Sequence, residues 1–466
     1  MDSGRVRVRA LIYGARDGAR RPTTHPPAAV NRHVAPHLFW PASRLETGHR
    51  QRHNRCVLRL IPLAAALLLA GCATPPIRHA LPPALADQAV VPGMEPDIRA
   101  WGDDAAGPLQ DWLVPPEEQP AACCAGIVGR PHHYLVISSG GDDGAFGAGL
   151  LLGWTAAGNR PEFDLVTGVS TGALMAPLAF LGPDYDEALR EVYTLYSEDD
   201  MVERRGVMKA LSGDSAFDTA PLRRLIDLYI GDEEVARIAA EARKGRRLLV
   251  ATTNLDAARP VVWDLTKIAA SGAPNARQLI GDVILASCSV PGLFRPVLLE
   301  VAVGGERYDE LHVDGGVTSQ LFIGPNGYDW ERAVAQLGVP GKPQVYVIRN
   351  ARLRPVREAA RNNLERTIAA VSRNPDGRPE WKEVELKMTP IIRRSLASMA
   401  REPGIDEAYR RYVSAYGVVL DFNFAHIPDD LDLDPSEFID LDYMRELFAR
   451  GYEMARAGYP WIRGAP

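Results

Sequence analysis

The sequence predicts an α/β fold with a mainly parallel sheet, and three observations support the prediction. Short apolar runs without alternation recur along the chain, as in strands buried on both faces. Helix-length segments separate them. Gly-rich turns mark the points where strand gives way to helix. The composition agrees: of 466 residues, 46% are hydrophobic and 24% charged, which excludes a disordered, collagenous or polytopic membrane chain.

The first predicted strand is Tyr134-Leu135-Val136-Ile137-Ser138, a continuous apolar run ending in small residues. It leads through a Gly-rich loop into an apolar helix at 145–157, closed by Gly158-Asn159, a pair suited to a left-handed C-terminal cap. A second strand at 163–167 precedes a helix at 171–181, which Gly182-Pro183 stops. Further strands are predicted at 248–252, 297–303 and 345–348, and helices at 221–230, 233–243 and 278–287. Parallel strands need crossover connections, and these helices supply them.

This alternation defines a predicted α/β domain at 132–350. Beyond it, residues 351–466 read as mostly helical, with helices at 383–399, interrupted at Pro390, and at 405–416. In the last helix Met444, Leu447, Phe448, Gly451, Tyr452 and Ala455 fall on one face, the face expected to pack on the sheet. Residues 73–131 hold eleven prolines, a density read as an extended tether.

The N-terminus is unlike the rest. Residues 1–56 carry eleven Arg, no Lys and three acids, with no hydrophobic periodicity. Residues 57–72 place Arg59 before an eleven-residue apolar stretch, Leu60 to Ala70, and end at Gly71-Cys72. This pattern is that of a signal peptide, too short for a membrane-spanning helix. Leu69-Ala70-Gly71-Cys72 resembles the bacterial lipobox, which implies a lipid-anchored envelope protein acylated at Cys72. Ala73 at the next position implies the outer membrane, facing the periplasm. A signal peptide runs ~15–30 residues, so the expectation is a translation start near Val57, with 1–56 a basic leader that is not made. The chain carries 53 Lys and Arg against 59 Asp and Glu, net −6; from Cys72 onward the balance is 41 against 56, net −15. Neither figure favours a nucleic-acid partner. The five cysteines show no metal-site spacing. Cys123 and Cys124 read as incidental linker residues, and Cys288 as a small buried one.

Three motifs carry chemistry. Gly168-Val169-Ser170-Thr171-Gly172 is a GxSxG between a predicted strand and helix, a tight turn in which the flanking glycines relieve crowding and the serine hydroxyl projects. Upstream, Ser139-Gly140-Gly141-Asp142-Asp143-Gly144 offers backbone N–H groups to an anion at a helix start. Read instead as a dinucleotide-binding loop it has irregular glycine spacing and acids that would repel phosphate. Asp314-Gly315-Gly316 supplies a carboxylate at a turn, able to act as a base if partly desolvated.

Together these motifs, with Ala286-Ser287-Cys288-Ser289-Val290-Pro291 through Val297, resemble the patatin-like phospholipase family of serine lipid acyl hydrolases, over roughly 134–326. The resemblance implies a three-layer α/β/α hydrolase with a helical C-terminal extension and a lipid ester as substrate. It implies Ser170 as nucleophile and Asp314 as base without a histidine, and backbone amides of Gly140, Gly141 and Asp142 as the oxyanion hole. Gly144, Gly168, Gly172, Gly315 and Gly316 shape the motifs. No metal or organic cofactor is implied, and the oligomeric state is open. Two positions depart from the family: Asp143 replaces its Arg or Lys and Ser139 its first Gly, which weakens the case for a phosphate-bearing substrate. A competing reading is an α/β-hydrolase triad using His426, the one histidine after Asp314. Another is a non-catalytic lipid-binding lipoprotein of the envelope. His312 reads as a packing residue able to tune Asp314, and Arg295 as a solvated surface residue.

Overall fold

The chain divides into two units, Met1–Gly71 and Cys72–Pro466. The computed structural model describes parts of the second: residues 78–104, 124–206, 214–324, 327–353, 383–387, 390–392, 395, 405–429, 431, 433, 435 and 439–464. The leader, the signal-like segment with Cys72, and Cys123 lie outside these residues.

Strands β1 (Arg99–Trp101), β2 (His133–Ile137) and β3 (Leu165–Val169) come first in the chain. Between the latter two runs helix α1 (Gly144–Ala156), and after them come α2 (Thr171–Leu181), α3 (Asp186–Thr194) and α4 (Glu198–Met201). A short ribbon of β4 (Glu203–Arg204) and β5 (Phe217–Asp218) precedes α5 (Ala220–Tyr229) and α6 (Asp232–Ala242). Next are β6 (Arg247–Asn254), β7 (Arg259–Asp264), α7 (Leu265–Ala270) and α8 (Ala276–Ser287). The hairpin β8 (Val297–Val303) and β9 (Glu306–Asp314), α9 (Trp330–Gln336) and β10 (Gln344–Arg352) follow. The chain closes with α10 (Ile405–Tyr416), β11 (Asp421–Ile427), α11 (Leu441–Arg456) and β12 (Ile462–Arg463).

The main sheet has the order β1-β7-β6-β3-β2-β10-β11-β12, with β9 also joined to β6. Strands β6, β3, β2, β10 and β11 run parallel, and antiparallel strands close both edges. Helices cover both faces, giving a three-layer α/β/α fold. The lack of alternation in the strands follows from this. Leu135 and Ile137 point into one core with α1, α2 and α8, while Tyr134 and Val136 point into the other with Trp330 and Tyr409. Each such side chain, once buried, contributes ~1.5–3 kcal/mol.

Three expectations need correction. Residues 78–104, read as part of a loose tether, are packed: β1 pairs with β7, Arg78 forms an ion pair with Asp256, and Leu81, Val91 and Ile98 are buried. Proline density excludes interior strands but not an edge strand or 3-10 turns that start on Pro83 and Pro96. Cys124 likewise is buried, against Ile127, Leu337 and Val339. The region after 350 is not only helical, since β11 adds to the sheet beside β10 and residues 383–387 are irregular.

The last helix docks as its apolar face predicts, with Met444, Leu447, Phe448, Gly451 and Ala455 buried. It lies directly on α1. A Cβ at Gly149 would stand 2.0 Å from the carbonyl oxygen of Phe448, so only glycine permits this approach.

Candidate active site

The site forms where the parallel strands end. Strand β3 stops at Val169 and α2 starts at Thr171, leaving Ser170 alone to make the turn at φ 54° and ψ −122°. That conformation costs a non-glycine residue on the order of 1–3 kcal/mol and persists only when its surroundings impose it. Here the Ser170 N–H donates to Ser287 Oγ at 2.9 Å, and Ser287 in turn donates to the Ala251 carbonyl at 2.7 Å. The Ser170 carbonyl accepts from the Ala173 N–H at 2.7 Å and from Cys288 Sγ at 3.2 Å. Gly168 and Gly172 flank the turn because backbone fills the space a Cβ would need, at 2.3 Å from the Gly172 oxygen and 2.5 Å from the Ile137 oxygen respectively.

Asp314 ends β9, opposite Thr252 of β6. Its Oδ1 accepts the Gly316 N–H at 2.7 Å, and its own N–H donates to the Ser289 carbonyl at 2.9 Å. Oδ2 is buried without a hydrogen bond of normal geometry. Burial pushes the carboxyl up to about 6, opposed by the Ser170 hydroxyl and the Gly316 N–H. Gly315 lets β9 close on β6, since its Cβ would stand 2.4 Å from the Ala251 oxygen, and a Cβ at Gly316 would stand 2.9 Å from Asp314 Oδ1. A carboxylate so placed can take a proton from a hydroxyl it faces.

The Gly-rich loop joins β2 to α1 through a 3-10 turn, Gly141–Asp143. Among the described residues no protein acceptor takes the N–H of Gly140, Gly141 or Asp142, so three successive donors remain for a ligand oxygen. Asn350, at the end of β10, fixes the loop's entry: its Nδ2 donates to the Ser138 carbonyl at 3.1 Å and its N–H to Ser138 Oγ at 2.9 Å. Gly144 brings α1 onto α2, where a Cβ would stand 2.1 Å from Thr171 Oγ1.

The two acids of the loop are tied to the C-terminal segment. Asp142 accepts the N–H groups of Asp440, at 3.2 Å, and Ile439, and burial pushes its carboxyl up to about 6. Asp143 accepts the Tyr443 hydroxyl, and burial together with that carboxylate keeps the phenol protonated. Ser170 and the loop open on a cavity of about 350 Å³ walled by Leu174, Met201, Leu222, Val290, Phe294 and Met444 among others.

The structure thus brings Ser170, Asp314 and the loop together. His426 is not part of the group: it sits on β11 with Nδ1 against the Ile427 carbonyl at 2.8 Å. His312 turns away into Thr252 and Glu310. Arg295 is exposed at the surface, as expected, and pairs there with Asp214 at 3.0 Å. Cys288 lines the cavity with a thiol that burial pushes well up. Sequence reasoning missed Asn350 and Tyr443, whose contacts span about 200 and 300 positions and leave no local signal.

The fold is a three-layer α/β/α arrangement with a GxSxG turn at the C-terminal edge of its parallel strands. Residues 135–325 match the family model for patatin-like phospholipase. No curated protein matches the chain. Among solved structures, the crystal structure of VipD from Legionella pneumophila is similar at 12% identity and a TM-score of 0.34, covering 70% of this chain and 66% of that one.

Proposed function

We propose that the protein is a serine acyl hydrolase that cleaves ester bonds of lipids through a Ser170–Asp314 dyad. One observation carries the reading: the Ser170 hydroxyl faces a buried, weakly solvated Asp314 carboxylate at the head of an apolar cavity. Ser170 Oγ attacks the ester carbonyl and its proton passes to Asp314. The N–H groups of Gly140, Gly141 and Asp142 receive the oxyanion, an interaction of a kind worth ~3–4 kcal/mol per donor. Collapse of the intermediate expels the alcohol, which leaves with the proton. Water then gives a proton to Asp314 and attacks the acyl-enzyme; collapse releases the fatty acid, and Asp314 passes that proton to the departing Ser170 Oγ, restoring the hydroxyl. Assaying short-chain esters and phospholipids with wild-type and Ser170→Ala protein tests this: turnover by the wild type alone supports it, and equal turnover by both removes it.

The same reading places the protein in the bacterial cell envelope, acylated at Cys72 and held at the outer membrane on its periplasmic face. The lipobox-like Leu69-Ala70-Gly71-Cys72 supports it. Metabolic labelling with an alkyne fatty acid should mark the wild type and not Cys72→Ser, and recovery of unlabelled wild type from the cytoplasm would contradict the anchor.

A further inference from the structure

The wall of the cavity is apolar except at one end. Among the described residues that line it, the charged side chains are Asp142 and Asp143 alone. Both are held in place by the C-terminal segment: Asp142 by the N–H groups of Ile439 and Asp440, Asp143 by the Tyr443 hydroxyl. Neither carboxylate can swing away without losing these partners. Neighbouring arginines are engaged elsewhere, Arg295 on Asp214 and Arg352 on the Leu433 carbonyl. Pro435 and Ile439 belong to the cavity wall, and the acids Asp440 and Asp442 follow Ile439 closely in the chain. A leaving group with a phosphate anion would meet like charge in a partly desolvated place, where such contacts are costly. A hydroxyl-bearing glyceride would not.

We propose that this site takes acyl esters whose leaving group carries no negative charge, acylglycerols in particular, and that Asp142 and Asp143 set that preference. The proposal rests on the ester hydrolase reading above. It assigns the apolar wall to the acyl chain and the acidic end to the alcohol side of the ester.

The test uses the full chain and two substrates of equal chain length, dioctanoylglycerol and dioctanoylphosphatidylglycerol, at one mole fraction in neutral detergent micelles. The wild type should show a kcat/KM at least ~10-fold higher on the glyceride. The gap should shrink in high salt, because exposed parts of the repulsion are screened. Asp142→Asn/Asp143→Asn keeps hydrogen-bond acceptors while removing both charges, and should narrow the ratio. Should that variant fold poorly, the wild-type ratio and its salt dependence decide alone. Equal or faster cleavage of phosphatidylglycerol, or a ratio unmoved in the folded variant, overturns the charge preference and leaves the hydrolase reading intact. Turnover of neither lipid, with no fluorophosphonate label on Ser170, overturns the hydrolase reading itself.

Discussion

Asp314 and Glu310 lie on the same strand and are both buried, at 6% and 1% exposure, yet they titrate in opposite directions. Burial alone would raise both. For Glu310 the charge of Arg99 and a hydrogen bond from His312 overcome burial and bring the carboxyl down to about 2. Burial also keeps His312 below its ordinary value, so this imidazole serves as a neutral donor at 3.1 Å. The guanidinium of Arg99 stacks over Trp263 at 5.2 Å, completing a satisfied network. Asp314 accepts one backbone N–H, from Gly316, and faces the Ser170 hydroxyl. The difference teaches how one strand builds two kinds of carboxylate: full partnering fixes the charge of Glu310, and withheld partners leave Asp314 able to take up a proton nearer neutral pH.

The sharpest way to break this contrast is at the chemistry itself. Ser170→Ala should lower turnover ~10⁴-fold or more and abolish fluorophosphonate labelling with an unchanged circular dichroism spectrum. Asp314→Asn should cost ~10²–10⁴-fold in kcat and at the same time raise stability. Its folded pKa, about 6, lies above the ordinary 3.8, so the ionised group destabilises the fold increasingly as pH rises from about 4 to 6 and fully at pH 7. Removing the charge should return ~2 kcal/mol in urea denaturation at pH 7.5, and a loss of stability there would contradict the contrast. Arg99→Ala should do the reverse, costing ~3–5 kcal/mol because Glu310 is left buried and unpaired. In the wild type the contribution of Glu310, whose folded pKa is depressed, is present above 4.5 and lost as pH falls through about 2. A smaller effect is the pH profile: kcat/KM should rise ~10-fold per unit below about 6 as Asp314 ionises. Smallest of all, His426→Ala should leave kcat/KM within ~2-fold, and a deep loss would revive the triad.

The parallel core was legible because strands buried on both faces need continuous apolar runs, and Tyr134 to Ile137 cannot do much else. Helix 171–181 was legible to the residue, since Gly182-Pro183 stops it. What stayed hidden depends on pairing at a distance. The three residues of β1 form a strand only because β7 lies beside them. Strand β11 carries Asn423 and His426 among its apolar residues and sits next to a run of acids, so its local pattern is weak. In the site, the GxSxG, the Gly-rich loop and Asp314 could each be found as short motifs. The ties from Asp142 and Asp143 to Asp440 and Tyr443 could not, because no local rule relates positions so far apart.

The packed N-terminal segment bears on how the protein would meet a bilayer. Arg78 is already fixed to Asp256, and only six peptide steps separate it from Cys72. Even fully stretched, such a leash reaches only ~20 Å. If Cys72 carries the lipid proposed above, that short span would limit how far Arg78 could stand from the bilayer surface.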